Sequence, residues 1–162
     1  MSNKEFVTAI DYPQPFDEYA VELCRSASRY ICIMSPDLDH AAFDNSDLAD
    51  ALSALARRSR QTQVRILVSN ARQIVTRGHR LLQLARRLTS TVYIQELAEH
   101  PDWRNETVVI RDRDGVLYKP GDSDHNAFYE PDSRASTTRH LELFEELWRH
   151  SSKGVELRSL NL

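Results

Sequence analysis

The stretch Asn105-Glu-Thr107-Val-Val-Ile110-Arg-Asp112-Arg-Asp-Gly115-Val-Leu-Tyr118-Lys119 sets two short apolar runs on either side of a polar turn. Residues 107–110 and 116–118 are rich in β-branched and aromatic side chains, and Arg113-Asp114-Gly115 stands between them. Asp-Gly between apolar runs is a strong hairpin signal, so the stretch predicts an antiparallel pair turning at 113–115.

On the amino-terminal side, strands alternate with amphipathic helices. Residues 6–10 predict a first short strand, which Pro13 and Pro15 end. Phe16, Tyr19, Ala20, Leu23 and Cys24 recur at helical spacing and predict a helix over 16–27. Tyr30-Ile-Cys-Ile-Met34 and Gln63-Val-Arg-Ile-Leu-Val68 read as strands. Between them Ser46 is placed to cap a helix whose inner face is Leu48, Ala51, Leu52 and Leu55. After Gly78 a basic helix turns Leu81, Leu84, Ala85 and Leu88 inward and Arg80, Arg86 and Arg87 outward, and a strand follows over 91–94. Beyond the hairpin, 120–134 is polar and turn-rich, 135–150 predicts a helix with Leu141, Phe144, Leu147 and Trp148 on one side, and 155–160 predicts a final edge strand. This order predicts one α/β domain over 1–162, a mixed sheet flanked by helices.

Set in that order, Asn105-x-Thr107-x4-Asp112 resembles the phospholipase D superfamily motif His-x-Lys-x4-Asp, whose x4 stretch is an apolar strand. Phe144-x-x-Leu147-Trp148 is similar to the segment that follows the motif in many members, so the resemblance covers about residues 14–150. It implies a phospholipase D-like fold and a site at Asn105, Thr107 and Asp112. In the family the His attacks phosphorus, the Lys holds a phosphate oxygen and the Asp supports the site. Here only Asp112 keeps its type, and Val116-Leu-Tyr-Lys119-Pro120 replaces the family's Gly-Ser-x-Asn segment. A carboxamide has no basic lone pair to form a phospho-enzyme, and a threonine hydroxyl brings no positive charge. Losing nucleophile and cation together costs several powers of ten in rate. The expectation is a degenerate domain that binds without cutting, rather than an enzyme. A second register, His125-Asn-Ala127 with Asp132, has Ala where Lys belongs and reads as a loop because of Pro131.

Composition sets the outer bounds. At 162 residues, with 41% hydrophobic and 28% charged positions, the chain suits a soluble globular protein. No apolar run is long enough to span a membrane and no secretory leader is recognisable, so the expected location is cytoplasmic. Cys24 and Cys32 lie on apolar faces and read as core thiols, and no cofactor is called for. Net charge is −3, but residues 51–90 hold nine arginines (57, 58, 60, 65, 72, 77, 80, 86, 87) and no Asp or Glu. That run is a surface for an anionic or phosphate-bearing partner, or else the solvated face of two helices. Nucleic acid is one candidate partner, which the acidic remainder of the chain opposes.

Arg77, His79 and Arg80, with the amides of a helix start, form a candidate anion site. Ser35-Pro-Asp37-Leu-Asp39-His40, with Asp44 and Asp47 beyond, has ligands for a divalent ion but also the residues of a turn and a helix start, and no metal is assigned to it. Two other classes of function compete with anion binding. One is a surviving phosphodiesterase using His79 or His100 near Asp112, and the other is an interaction module whose arginines pair with an acidic protein. By resemblance to single-motif family members, a homodimer is expected.

Overall fold

Apolar runs with no polar interruption belong where both faces of a sheet are covered, and two of them lie at its centre. The computed structural model describes residues 5–158. In chain order its elements are β1 (Val7–Ile10), α1 (Phe16–Arg25), β2 (Tyr30–Met34), α2 (His40–Phe43), α3 (Ser46–Ala56), β3 (Gln63–Val68), α4 (Arg72–Arg77), α5 (Arg80–Arg87), β4 (Val92–Glu96), β5 (Thr107–Arg111), β6 (Gly115–Lys119), β7 (Ala127–Glu130), α6 (Arg134–Arg149) and α7 (Val155–Arg158). The seven-stranded sheet has the order β1-β7-β6-β5-β2-β3-β4. β2, β3 and β4 are parallel, with α2–α3 and α4–α5 as the crossovers. β5 lies antiparallel to β2, and β6, β7 and β1 continue antiparallel to the far edge.

Neighbouring residues of a strand point to opposite faces, and each face here has its own cover. Ile31, Ile33, Val64, Ile66, Val68, Val109 and Leu117 meet the inward stripes of α1, α3 and α5. Cys32, Met34, Leu67, Val108, Ile110 and Val116 meet Phe144 and Leu147 of α6. Cys24 and Cys32 are buried free thiols, and burial pushes each up to about 12, so neither is a nucleophile.

Four sequence expectations change. The hairpin turns at Asp112–Asp114 rather than 113–115, because Gly115 already pairs with Arg111 in the ladder. Its role is close approach: a Cβ there would lie 2.9 Å from the Arg111 guanidinium and from Leu23. The cap of α3 is Asn45, whose Oδ1 accepts from the Leu48 N–H at 2.8 Å, not Ser46. The polar 120–134 segment contains β7, with Ala127 and Tyr129 buried and Phe128 and Glu130 facing the other way. Ladders to β6 on one side and β1 on the other hold it, so the strand forms despite Pro131, which lies just past its end. Finally, 155–158 is the short helix α7 rather than an edge strand, and 159–160 lie outside the described residues. Among the described residues, pairing beyond β4 is a single bridge, Glu96 to Ser152.

Candidate functional site

Because of these directions, one end of the sheet gathers the carboxyl ends of β2, β3 and β4, the entry to β5, the exit of β6 and the exit of β1. Ligands of open α/β sheets gather at such an end. Thr107 lies here, 3% exposed, with Lys119 directly opposite in the β5–β6 register. Lys119 is 7% exposed. Its Nζ donates to the Pro120 carbonyl at 3.0 Å, pairs with Asp124 at 3.1 Å and sits 5.0 Å from the Tyr12 ring centre. A buried ammonium thus stands beside the position where the family motif has its lysine. Sequence reading missed it, because a turn at 113–115 would set 121 opposite 107, whereas the turn at 112–114 brings Lys119 there.

The surroundings of this ammonium are acidic. Burial pushes the Tyr12 phenol strongly upward, and the charges of Asp39, Asp37 and Asp124 push it further. Asn105 is exposed and adopts φ 65°, a left-handed conformation that Asn tolerates better than most residues. The backbone of 104–105 also meets the turn after β6: a Cβ on Gly121 would lie 2.0 Å from the Arg104 carbonyl oxygen, so only glycine fits. Thr107 therefore lies under a packed turn with its neighbouring cation already paired. Thr107 is thus closed to a phosphate, whereas Asn105 lines an open surface cavity with Ser69, His100 and Trp103.

Asp112 is at the opposite end of β5 and does not share a site with Asn105 and Thr107. At φ 50° it follows the strand, and its carboxylate accepts from the N–H groups of Ser28, Arg29 and Tyr30 and from the Ser28 hydroxyl, at 2.8–3.1 Å. Burial works against the charge, but these donors outweigh it and hold the carboxyl below its usual range. The residue locks the α1–β2 connection onto the hairpin. Its retained identity has this structural reason.

His79 is 2% exposed and not part of an open anion site. Its Nδ1 accepts from the Leu81 N–H at 3.1 Å, capping α5, and its Nε2 donates to the Leu38 carbonyl at 3.1 Å. Burial lowers it to about 4, against the opposing charge of Asp44, so the ring is neutral. Arg80 is held by Asp44, through its backbone N–H at 3.0 Å and its guanidinium at 3.3 Å, while Arg77 is exposed. In the 35–47 loop, Asp39 caps α2 and His40 bonds the Gly78 carbonyl at 2.8 Å, so these ligand types serve the chain's own backbone. His79 and His100 both follow the carboxyl ends of strands, at the far end of β5 from Asp112. The proposed partnership of either with Asp112 is not formed.

The amino-terminal end of the parallel strands has the opposite charge. Arg29 precedes β2, Arg57, Arg58 and Arg60 precede β3, Arg86 and Arg87 precede β4, and Arg113 lies in the β5–β6 turn; all are exposed. Among the described residues none of them is in an ion pair. Arg65, by contrast, is an inner member of the arginine run: it pairs with Glu145 and stacks over Phe144 and Trp148. Asp112 and Asp114, the acids of the hairpin turn, are engaged by backbone amides and by Arg111.

The family model described as a domain of unknown function, DUF7931, matches residues 12–160. The chain belongs to this family. No curated protein matches it in sequence. In three dimensions this DUF7931 domain is similar to Nuc, a phospholipase D family member from Salmonella typhimurium, with a TM-score of 0.65 at 16% identity over 93% of this chain and 99% of Nuc. NucT from Helicobacter pylori aligns with a TM-score of 0.58 at 14% identity over 93% of this chain and all (100%) of NucT. TrmBL2, an archaeal chromatin protein described as having a novel mode of DNA binding, aligns with a TM-score of 0.63 at 14% identity. That match covers 93% of this chain but only 53% of TrmBL2, so the domain spans about half the length of that protein. The fold is therefore phospholipase D-like. Among the described residues no helix is long and apolar enough to cross a membrane.

Proposed function

We propose that this phospholipase D-like domain is a non-catalytic module that binds a phosphate-bearing polymer, nucleic acid first among them, through the arginines at the amino-terminal end of its parallel strands. The reading rests on one observation above all: Arg29, Arg57, Arg58, Arg60, Arg86, Arg87 and Arg113 are exposed there without an ion-pair partner among the described residues. Clustered guanidinium groups suit phosphates, which they bind through paired donors. The DNA binding ascribed to TrmBL2 adds weight to nucleic acid as the partner class.

Two features argue against catalysis. Asn105 and Thr107 lack the nucleophile and cation of the motif they resemble, and Thr107 is buried beside an ammonium already paired with Asp124. The acidic groups around Tyr12 also disfavour a phosphodiester at the end of the sheet where ligands of this architecture gather.

Titration of a labelled duplex and a labelled single strand by fluorescence anisotropy, at several salt concentrations, tests the proposal. Binding weakens with salt, with a log–log slope on duplex DNA of about −0.9 per phosphate neutralised. Arg86→Glu with Arg87→Glu weakens it at least tenfold and flattens the slope. Binding to neither nucleic acid, or binding indifferent to salt and to the charge reversal, overturns the reading. A phosphodiesterase assay on the purified protein gives no turnover; turnover that is lost in Asn105→Ala while the unfolding midpoint stays at the parent's returns the hydrolase reading. Light scattering on the same sample tests the homodimer expected from the resemblance to single-motif members of the phospholipase D superfamily.

A further inference from the structure

We infer that His100, Glu146 and His150 form a binding site for a divalent transition-metal ion, with zinc as the reference ligand. The site is independent of the arginine surface. Glu146, on the last turn of α6, and His150, its C-cap in helical backbone conformation, lie four residues apart and so share a face. His100 comes from the connection after β4. One ligand atom from each of the three lies within 4.8 Å of the others. His150 Nε2 is 3.0 Å from Glu146 Oε1, and the two imidazole centres are 5.5 Å apart.

The two elements are tied together where they meet. The Glu96 N–H donates to the Ser152 carbonyl at 2.7 Å and the Ser152 N–H donates back at 3.1 Å. The Ser151 hydroxyl donates to Gln95 Oε1 at 2.5 Å. The strand end that leads to His100 and the helix end that carries the other ligands are thus held in register, which is what a preorganised site needs. Ligand chemistry selects the ion. Two imidazoles and one carboxylate suit zinc and its transition-metal neighbours, whereas magnesium and calcium prefer oxygen alone. Three protein ligands leave a coordination position open.

Binding rearranges three contacts: the ion replaces the proton shared by His150 Nε2 and Glu146 Oε1, competes with Arg149 for the Glu146 carboxylate, and disturbs the bond His100 makes. His100 Nδ1 now accepts from the Asp102 N–H at 3.1 Å. An ion on Nδ1 displaces that donor directly. An ion on Nε2 places the ring proton on Nδ1, which then no longer accepts. Either way the 100–103 turn moves, and with it Trp103, whose N–H donates to the His100 carbonyl at 3.1 Å.

The test is calorimetric titration of the metal-free protein with zinc chloride, followed by cobalt chloride with absorption read in the visible. The expected result is one zinc per chain, a change in tryptophan emission, and cobalt bands of a low-coordinate site. His100→Gln and Glu146→Gln each weaken zinc at least tenfold, while their metal-free unfolding midpoints match the parent. Magnesium at tenfold excess does not displace zinc. No zinc binding at micromolar concentration overturns the inference, as does binding that both variants retain unchanged, which marks an adventitious ion on other groups.

Discussion

Asp112 and His79 each hold a connection in place through bonds to the backbone. Replacing Asp112 by Ala leaves the amides of Ser28, Arg29 and Tyr30 without their acceptor. Bonds to a charged group are each worth about 1.5–3 kcal/mol, and water regains part of the loss at this half-exposed site. The expected destabilisation is about 2–3 kcal/mol by urea denaturation at pH 7, with Asp112→Asn costing less because its amide oxygen still accepts. The same carboxyl is depressed in the fold, so its contribution is present above the unfolded value and is lost as pH falls through the folded one. His79 acts in a higher window. Burial lowers it to about 4 from the ordinary 6.5, so the unfolded chain binds the extra proton between those values. Stability is therefore complete above pH 6.5 and declines as pH falls toward 4, by on the order of 3 kcal/mol from this group. His140, which burial also lowers, adds to the decline in the same direction. Urea curves at pH 7, 5.5 and 4.5 check this, and in His79→Gln the slope with pH is shallower.

The β5–β6 hairpin shows at the scale of an element what the sequence discloses and what it conceals. Restoring the family motif with Asn105→His and Thr107→Lys does not restore an active site. A lysine at 107 is placed directly opposite Lys119, in a buried position, and like charges facing across a ladder repel. A histidine at 105 also has to take φ 65° under the turn at Gly121. The double variant is expected to lose about 3 kcal/mol or more of stability, with no turnover of a phosphodiester. A folded variant with motif-dependent turnover contradicts this account of the sealed strand end. The hairpin was readable because Asp114-Gly115 stands between two apolar runs, and the strands Tyr30–Met34 and Gln63–Val68 were readable as short, largely apolar runs. β7 was not, because four residues alternating between small, aromatic and acidic side chains, next to Pro131, carry too little local signal; two flanking ladders supply the rest. Spacing placed Asp112 at the far end of a strand from Thr107, roughly 16 Å away at about 3.3 Å per residue, but not the Ser28, Arg29 and Tyr30 amides that it meets there. The His100, Glu146 and His150 cluster left no local motif: two members lie on a helix read for its Phe144 and Leu147 face, and the third lies far away in the chain.

At the scale of the whole molecule the two ends of the sheet differ in charge, and this makes ligand binding at them separable. The arginine-rich end and the end holding Lys119, Asp124 and His100 are set apart by strands such as β5, with five residues. At about 3.3 Å per residue that is roughly 16 Å, about twice the Debye length of ~8 Å at physiological ionic strength. A polyanion at one end and a metal ion at the other therefore have little direct electrostatic coupling, and no shared side chain. Each ligand bound only to the folded state raises stability by RT ln(1 + [L]/Kd), which is about 2.7 kcal/mol at a hundredfold excess over Kd. The expected outcome is additive stabilisation when an oligonucleotide and zinc are present together, read as unfolding free energy from urea curves. Arg86→Glu with Arg87→Glu removes only the oligonucleotide's increment, and His100→Gln removes only zinc's. If either substitution abolishes both increments, the ends are linked through the sheet and the separation argued from distance and screening fails.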